Sequence, residues 1–286
     1  MDDLNQVLKS AQKALSGALL MDATEVMLDV RLLMQKTLNV DHAWLMGHGD
    51  AQLSVTQMQI FNHLLERRIN GEPMAYILGA REFYGLDLKT TPATLIPRPD
   101  TETLVDAALE KISPNMPLKV LDLGTGTGAI ALAVASQRVQ AKITAVDFSL
   151  EALKVAQENA ETLQLANVRF IQSHWFDALI NDMFDVIVSN PPYIAKDDVH
   201  LQQGDLRFEP LSALASGVDG LDDIRVIVAN APKHLNENAW LMLEHGYDQA
   251  AAVAALMASA GFKNIRHVND LAGIERVTMG CWSPGS

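Results

Sequence analysis

The chain holds a single cysteine, Cys281, so it can form no internal disulfide framework and its composition suits a reducing compartment. No apolar run approaches the roughly 18 residues that a membrane span needs. Basic residues are also scarce, 22 Lys and Arg against 35 Asp and Glu, for a formal net charge of −13. That balance argues against a broad electrostatic grip on a nucleic-acid backbone. The opening residues, Met1-Asp2-Asp3, lack the basic-then-apolar pattern of a secretory leader. A cytoplasmic protein is therefore expected, with no membrane and no nucleic-acid partner. The histidines, His42 and His48 among them, stand without cysteines or carboxylates at metal-ligand spacing, so no metal is expected. There is no Gly-Lys-Ser/Thr, which excludes a phosphate loop of that type. No internal repeat or low-complexity segment is visible.

What is present is an ordinary globular composition, 49% apolar and 20% charged, over 286 residues. That length accommodates one large domain or two modest ones. Residues 1–72 read as helices. Leu4, Leu8, Ala11 and Leu15 form one stripe, Val26, Val30 and Leu33 a second, and Val55, Met58, Leu65 and Ile69 a third after Ser54 as N-cap. No charged constellation interrupts this pattern, and Met21, Met27 and Met34 read as core filler. Residues 73–100 carry alternation around Gly85, which predicts a β-hairpin, followed by the proline-stiffened run Leu95-Ile96-Pro97-Arg98-Pro99. Residues 101–286 then alternate strand and helix, the pattern of an α/β fold with a parallel sheet.

Two junctions in this last segment carry chemistry. The strand Leu118–Leu123 runs into Gly124-Thr125-Gly126-Thr127-Gly128, and a helix begins at Ala129. Glycines there allow a tight turn and let a ligand approach the main chain. The next strand, Ile143–Val146, ends in Asp147, at the distance where an acid commonly binds ribose hydroxyls. The spacing is Gly-x-Gly-x-Gly rather than Gly-x-Gly-x-x-Gly, which argues against NAD. After Ser149, a cap for the helix Leu150–Leu163, a third strand (Val168–Gln172) leads to Trp175, placed either in the core or against an adenine.

The second junction follows the apolar run Val186–Val188, a buried strand that stops at Asn190-Pro191-Pro192-Tyr193. The prolines offer no N–H and hold the turn stiff. The amide oxygen of Asn190 and a main-chain carbonyl of the Pro191-Pro192 turn can each accept a hydrogen from a planar NH2 group, with Tyr193 against its flat face. Two such acceptors would aim the nitrogen lone pair at an electrophile. Beyond a polar loop (196–209), a helix Asp222–Leu235, a strand Ala239–Leu243, a helix Asp248–Ser259 and two closing strands, Asn264–Val268 and Glu275–Trp282, are expected, the last two as an antiparallel hairpin.

Asp122 to Gly128, Asp147 and Asn190 to Tyr193 together resemble class I S-adenosylmethionine (SAM)-dependent methyltransferases of planar amino groups. Leu95–Glu102 and Arg81-Glu82-Phe83-Tyr84-Gly85 narrow the likeness to the HemK-type release factor glutamine methyltransferases, over essentially the whole chain. The resemblance implies a Rossmann-like SAM-binding catalytic domain (101–286), a linking hairpin (73–100) and a helical substrate-docking domain (1–72). It implies Gly124, Thr125, Gly126, Thr127 and Gly128 along the methionine end of SAM, Asp147 on the ribose, Trp175 near the adenine and Asn190 beside the cofactor. Asn190, Pro191, Pro192 and Tyr193 would grip the glutamine amide of a release factor's Gly-Gly-Gln loop, giving N5-methylglutamine and S-adenosylhomocysteine, with the enzyme acting as a monomer. Glu244-His245-Gly246 and Gln249 read as structural. Adenine-N6 methylation of nucleic acid, ribosomal-protein glutamine methylation and SAM binding without catalysis are the alternatives. The first also uses Asn-Pro-Pro-Tyr but fits an acidic chain badly.

Overall fold

In the computed structural model, which describes residues 3–283, the apolar stripes of the first segment become helices α1 (Leu4–Ala18), α2 (Ala23–Leu38), α3 (His42–Gly47), α4 (Val55–Ile69) and α5 (Met74–Leu78). Asp41 accepts the Trp44 amide at the start of α3, and three further starts carry reciprocal caps. Asp3, Asp22 and Ser54 each accept a first-turn amide, and Gln6, Glu25 and Gln57 return a bond to the cap backbone. These bonds satisfy amides that have no partner inside the helix. Leu4, Leu15, Val30, Leu33 and Phe61 form the core of this unit, which spans Met1–Gly79.

Three expectations for this unit need correction. Val55 is exposed, and Phe61, Leu64 and Leu65 supply the buried face of α4, because Val55 is the helix's first residue and precedes the turns that reach the core. The core is also not free of charge. Arg68 Nε donates to Asp29 Oδ2 at 2.7 Å, with both side chains 11% exposed. Helical periodicity cannot show a pair of residues on different helices. Helix also continues past residue 72, through α5 to Gly79, whose φ of +76° suits the left-handed end of a helix.

The second unit, Ala80–Ser286, opens with the predicted hairpin, β1 (Ala80–Phe83) against β2 (Leu86–Lys89). A 3-10 turn at Pro99–Thr101 leads into α6 (Glu102–Lys111). Then follow β3 (Lys119–Leu123), α7 (Ala129–Gln137), β4 (Lys142–Asp147), α8 (Leu150–Thr162), β5 (Val168–Gln172), β6 (Phe184–Ser189), α9 (Asp222–Asn230), β7 (Leu235–Glu244), α10 (Ala250–Ser259), β8 (Lys263–Asn269) and β9 (Glu275–Trp282). The seven strands lie in the order β5-β4-β3-β6-β7-β9-β8, parallel through β7 and antiparallel for β9 and β8.

Alternation along each strand fills both faces of the sheet. Val120, Val186 and Val188 pack with α6 and α7, while Leu121, Leu123 and Ile187 pack with α9 and α10. The chain steps outward from β3 to β4 and β5, then returns to place β6 on the other side of β3. Loops leaving β3 and β6 therefore diverge, and a crevice opens beyond their carboxyl ends. The expected helix to Leu235 is too long. α9 stops at Asn230, where Pro232 lies in a 3-10 turn, and β7 begins at Leu235. The closing hairpin is antiparallel as expected, with β9 between β7 and β8.

Candidate active site

A cavity of about 370 Å³ lies in that crevice. Its walls include Gly124, Gly126, Asp147, Trp175, Asn190 and Pro192. Residues from the ends of β3, β4, β5 and β6 thus meet around one space.

The turn after β3 has Gly124, Gly126 and Gly128 at φ of +73°, +55° and +85°, a region that side chains with a Cβ rarely adopt. Gly128 is needed for packing as well, since a Cβ there would lie 2.9 Å from Leu132 Cδ1. The amides of Gly124 and Thr125 both donate to Val146 O at 2.9 Å, and that of Gly126 donates to Asp147 Oδ2 at 2.9 Å. Thr125 and Thr127 turn inward. Thr125 Oγ1 donates to Asp122 Oδ2 at 2.6 Å, and the carbonyl of Thr127 accepts from Asn159 Nδ2 at 2.9 Å. Of the five residues proposed for this turn, Gly124 and Gly126 face the cavity, while Thr125, Thr127 and Gly128 brace the turn from behind.

Behind the turn sits the acid that opens the motif, to which the sequence reading gave no role. Asp122 is fully buried, its Oδ1 has no partner among the described residues, and burial pushes its pKa up to about 7 against the bonds from Thr125 and the Ala131 amide. Asp147 is raised by burial too, opposed by the amides of Ser149, Gly126 and Phe148. Its Oδ1 accepts from Ser149 N at 2.9 Å. Trp175 is held at φ +49°, with Ser173 Oγ donating to its carbonyl at 2.9 Å and its ring lying over Gly124. Its indole Nε1 is buried without a partner among the described residues.

Asn190 sits at the end of β6, where Ser189 Oγ donates to Leu123 O at 2.7 Å and ties this strand to β3. Its Nδ2 donates to Thr101 Oγ1 at 3.1 Å. Pro191 is buried, and Pro192 joins the cavity wall. Tyr193 is half-buried against the core between the sheet and α10, outside the cavity wall. Its hydroxyl donates to Glu244 Oε1 at 3.4 Å, and burial together with that carboxylate raises its pKa. Its carbonyl accepts from Gln249 Nε2 at 3.0 Å, while Gln249 Oε1 accepts from Gly246 N at 2.8 Å. Glu244 and Gln249, read from sequence as structural, thus reach directly into the turn. A lone acid closing an apolar strand was the one signal that could have marked Glu244.

The remaining wall comes from Ala93 to Leu95 and from Pro210, Ser212 and Ala213. Nothing local in the sequence assigns these residues to a site. Among the described residues no group of His, Cys, Asp and Glu is arranged to hold a metal ion, and no helix is long and apolar enough to cross a membrane.

Two family models match the chain, the PrmC N-terminal domain over residues 6–79 and the methyltransferase small domain over residues 101–207. The release factor glutamine methyltransferase of Xylella fastidiosa strain Temecula1 is 49% identical over 265 residues, covering 92% of this chain and 96% of the relative. That of Pseudomonas aeruginosa is 49% identical over 269 residues, covering 94% and 97%. A crystal structure of a methyltransferase from Pyrococcus furiosus is similar in fold, with a TM-score of 0.54 at 18% identity, over 78% of this chain and 99% of that one.

Proposed function

This chain belongs to the release factor glutamine methyltransferase family, and from that premise we propose how its own residues carry out the reaction. It is an enzyme that methylates the side-chain amide nitrogen of a glutamine in peptide chain release factors, and we assign the target to the Gly-Gly-Gln loop. The observation that supports this most is the meeting of Gly124, Asp147 and Trp175 with Asn190 and Pro192 around one cavity.

The cavity's chemistry fits S-adenosyl-L-methionine. Gly124 and Gly126 present a wall without side chains, Asp147 offers carboxylate acceptors for ribose hydroxyls, and the Trp175 ring offers a flat apolar surface for a base. Thr125, Thr127 and Gly128 hold the shape of that wall. When bound, S-adenosyl-L-methionine supplies a methyl group already activated on a sulfonium.

The protein's task is then orientation. An amide nitrogen is a poor nucleophile because its lone pair is delocalised into the carbonyl. Asn190 Oδ1 and a carbonyl of the Pro191-Pro192 pair accept the two hydrogens of the glutamine NH2 group and favour a pyramidal nitrogen. The carbonyl of Tyr193 is engaged by Gln249 and so falls outside this pair. As positive charge develops on the nitrogen, the same acceptors stabilise it, a preorganised electrostatic effect. The acidified nitrogen then loses its proton without a dedicated base. Tyr193, which lies outside the cavity wall, supports the turn through Glu244. The helical unit docks the release factor, and the enzyme works as a single chain in the cytoplasm.

The test is mass spectrometry of release factor, ribosomal protein and adenine-containing DNA, each incubated with the purified enzyme and S-adenosyl-L-methionine. One methyl on the Gly-Gly-Gln glutamine, absent with Asn190→Ala, is expected. Methyl on the ribosomal protein or on adenine would overturn the substrate while keeping the site.

A further inference from the structure

An amide side chain has two ends of nearly equal shape, and only the oxygen accepts a hydrogen bond. The clamp on the Asn190–Tyr193 turn therefore works only if Gln249 presents the correct end. Gly246 N donates to Gln249 Oε1 at 2.8 Å, which leaves Nε2 to donate to Tyr193 O at 3.0 Å. The Gly246 carbonyl closes the same loop by accepting from the Gln249 main-chain amide at 3.1 Å. It also accepts from the His245 ring, whose Nδ1 lies 2.9 Å away. A carbonyl oxygen has two lone pairs, and both are used here.

We infer that His245 is a positioning residue for methyl transfer, acting through the Gly246–Gln249 loop to hold the acceptor turn in place, an inference that rests on the reading of that turn given above. The orientation of its ring follows from counting hydrogens. Gly246 O can only accept, so Nδ1 carries the proton and the neutral ring leaves Nε2 as an acceptor. Thr278 Oγ1, 2.8 Å from Nε2, supplies its single hydrogen there. The Thr278 oxygen then accepts from His267 Nδ1 at 2.9 Å. One continuous string of hydrogen bonds results, from His267 on β8 through Thr278 on β9, His245, Gly246 and Gln249 to the Tyr193 carbonyl.

Buried histidines satisfied by their neighbours are common in cores, and two features set this one apart. Its Nδ1 bonds the loop that carries Gln249 rather than a strand of the sheet, so releasing it frees the clamp. The other end of the string is fixed, since Thr278 is fully buried in β9 and pairs with His267 across the β8–β9 ladder. His245 is itself fully buried, and its amide donates to Arg276 O at 3.1 Å. The loop is also close-packed, because a Cβ on Gly246 would lie 3.1 Å from Gln249 Oε1. Burial lowers the pKa of His245, with His267 and Arg276 in the same direction and the Gly246 carbonyl and Glu275 opposed. The neutral ring that the string requires is thereby favoured.

The experiment measures kcat and KM on intact release factor, with Kd for S-adenosyl-L-methionine, for His245→Leu, His245→Asn, Gln249→Leu and the double variant His245→Leu/Gln249→Leu. His245→Leu is expected to lower kcat by about tenfold, with Kd within about twofold of wild type. His245→Asn, which can still donate to Gly246 O, is expected to recover most of that loss. The double variant is expected to match Gln249→Leu within about twofold, because His245 acts through Gln249. Thr278→Val shortens the string without removing the ring and is expected to lower kcat by about threefold, with Thr278→Ser restoring it. Nitrogen-15 NMR of the wild type, independent of any variant's folding, is expected to show His245 neutral and protonated at Nδ1. The opposite tautomer, a His245→Leu enzyme with wild-type kcat, an equally impaired His245→Asn, or losses that multiply in the double variant would overturn the inference. A wild type that does not methylate release factor would instead sink the parent reading, and the inference with it.

Discussion

Arg98 and Glu209, 111 positions apart in sequence, form an ion pair in which the glutamate side chain is completely buried. The same carboxylate accepts from the Ile96 amide at 3.0 Å. One side chain therefore fastens the Leu95–Pro99 segment to the loop before Pro210, and both segments wall the cavity. Burial raises the pKa of Glu209 and Arg98 opposes that rise.

Replacing Arg98 by alanine leaves the carboxylate buried without its partner. The loss is discounted because Arg98 is 31% exposed, and about 1–3 kcal/mol of stability is expected. The folded pKa of Glu209 moves further up in the variant. A raised pKa contributes stability below the unfolded value, and that contribution disappears as pH rises through the folded value. The gap between wild type and Arg98→Ala is therefore expected to widen from pH 5 to pH 8 in denaturant titrations. A gap that narrows with rising pH would show that Glu209 is not the group left stranded.

Asp122 gives a second pH signature with the opposite consequence. Its pKa is about 7 in the fold against an ordinary carboxylate value of 3.8, so folding favours the protonated acid between those limits. Stability from this group is present below the unfolded pKa and is lost as pH rises toward 8. Asp122→Asn keeps the shape, can accept from Thr125 and the Ala131 amide, and never ionises. It is expected to be more stable than wild type at pH 8, on the order of 1–2 kcal/mol, with the advantage gone near pH 4. Thermal melts across that range decide it. A constant offset at every pH would mean that ionisation of Asp122 is not what the substitution relieves.

How much of this was legible in sequence depends on how far apart the partners lie. The glycine turn, Asp147 and Asn190 each sit within a few residues of the strand that presents them, and strand, turn and proline signals act over that range. Thr101 carries no such mark. It looks like a helix cap, and its tie to Asn190 spans 89 residues. The Tyr193–Glu244 contact spans 51. These contacts arise only when β6 returns beside β3 and β7 adds next to it. The length of α9 was misjudged for a local reason, since Pro232 was not given its weight against an apolar stripe that continues past it.

Gly220 lies far from the glycine turn in sequence and is essential for a different reason. Its φ is +76°, and a Cβ there would lie 2.2 Å from Tyr193 O and 2.7 Å from Gln249 Nε2. Any side chain would therefore displace the carbonyl that Gln249 holds. Gly220→Ala is expected to lower stability by about 1–3 kcal/mol through left-handed strain and the clash. Its kcat is expected to fall more than that loss explains when assayed well below the melting temperature. Gln249→Leu, which removes the clamp without a clash, is expected to reproduce the kcat loss with a smaller effect on melting. If Gln249→Leu turns over normally, the clamp does not govern the Asn190–Tyr193 turn.

The helical unit offers the last test, because it has a core of its own. Leu4, Leu15, Leu33 and Phe61 are buried within it, and its Asp29–Arg68 pair closes inside the same unit. A truncated enzyme starting at Ala80 keeps every residue of the cavity wall. If the helical unit serves docking, truncation raises KM for intact release factor by about tenfold or more, equivalent to at least about 1.4 kcal/mol. The Kd for S-adenosyl-L-methionine then stays within about twofold, and kcat at saturating substrate is largely retained. Calorimetry of donor binding alongside methyl-transfer kinetics separates the two quantities. Parallel losses in both would identify the helical unit as a folding support for the catalytic unit, and docking would then have to be assigned to the catalytic unit itself.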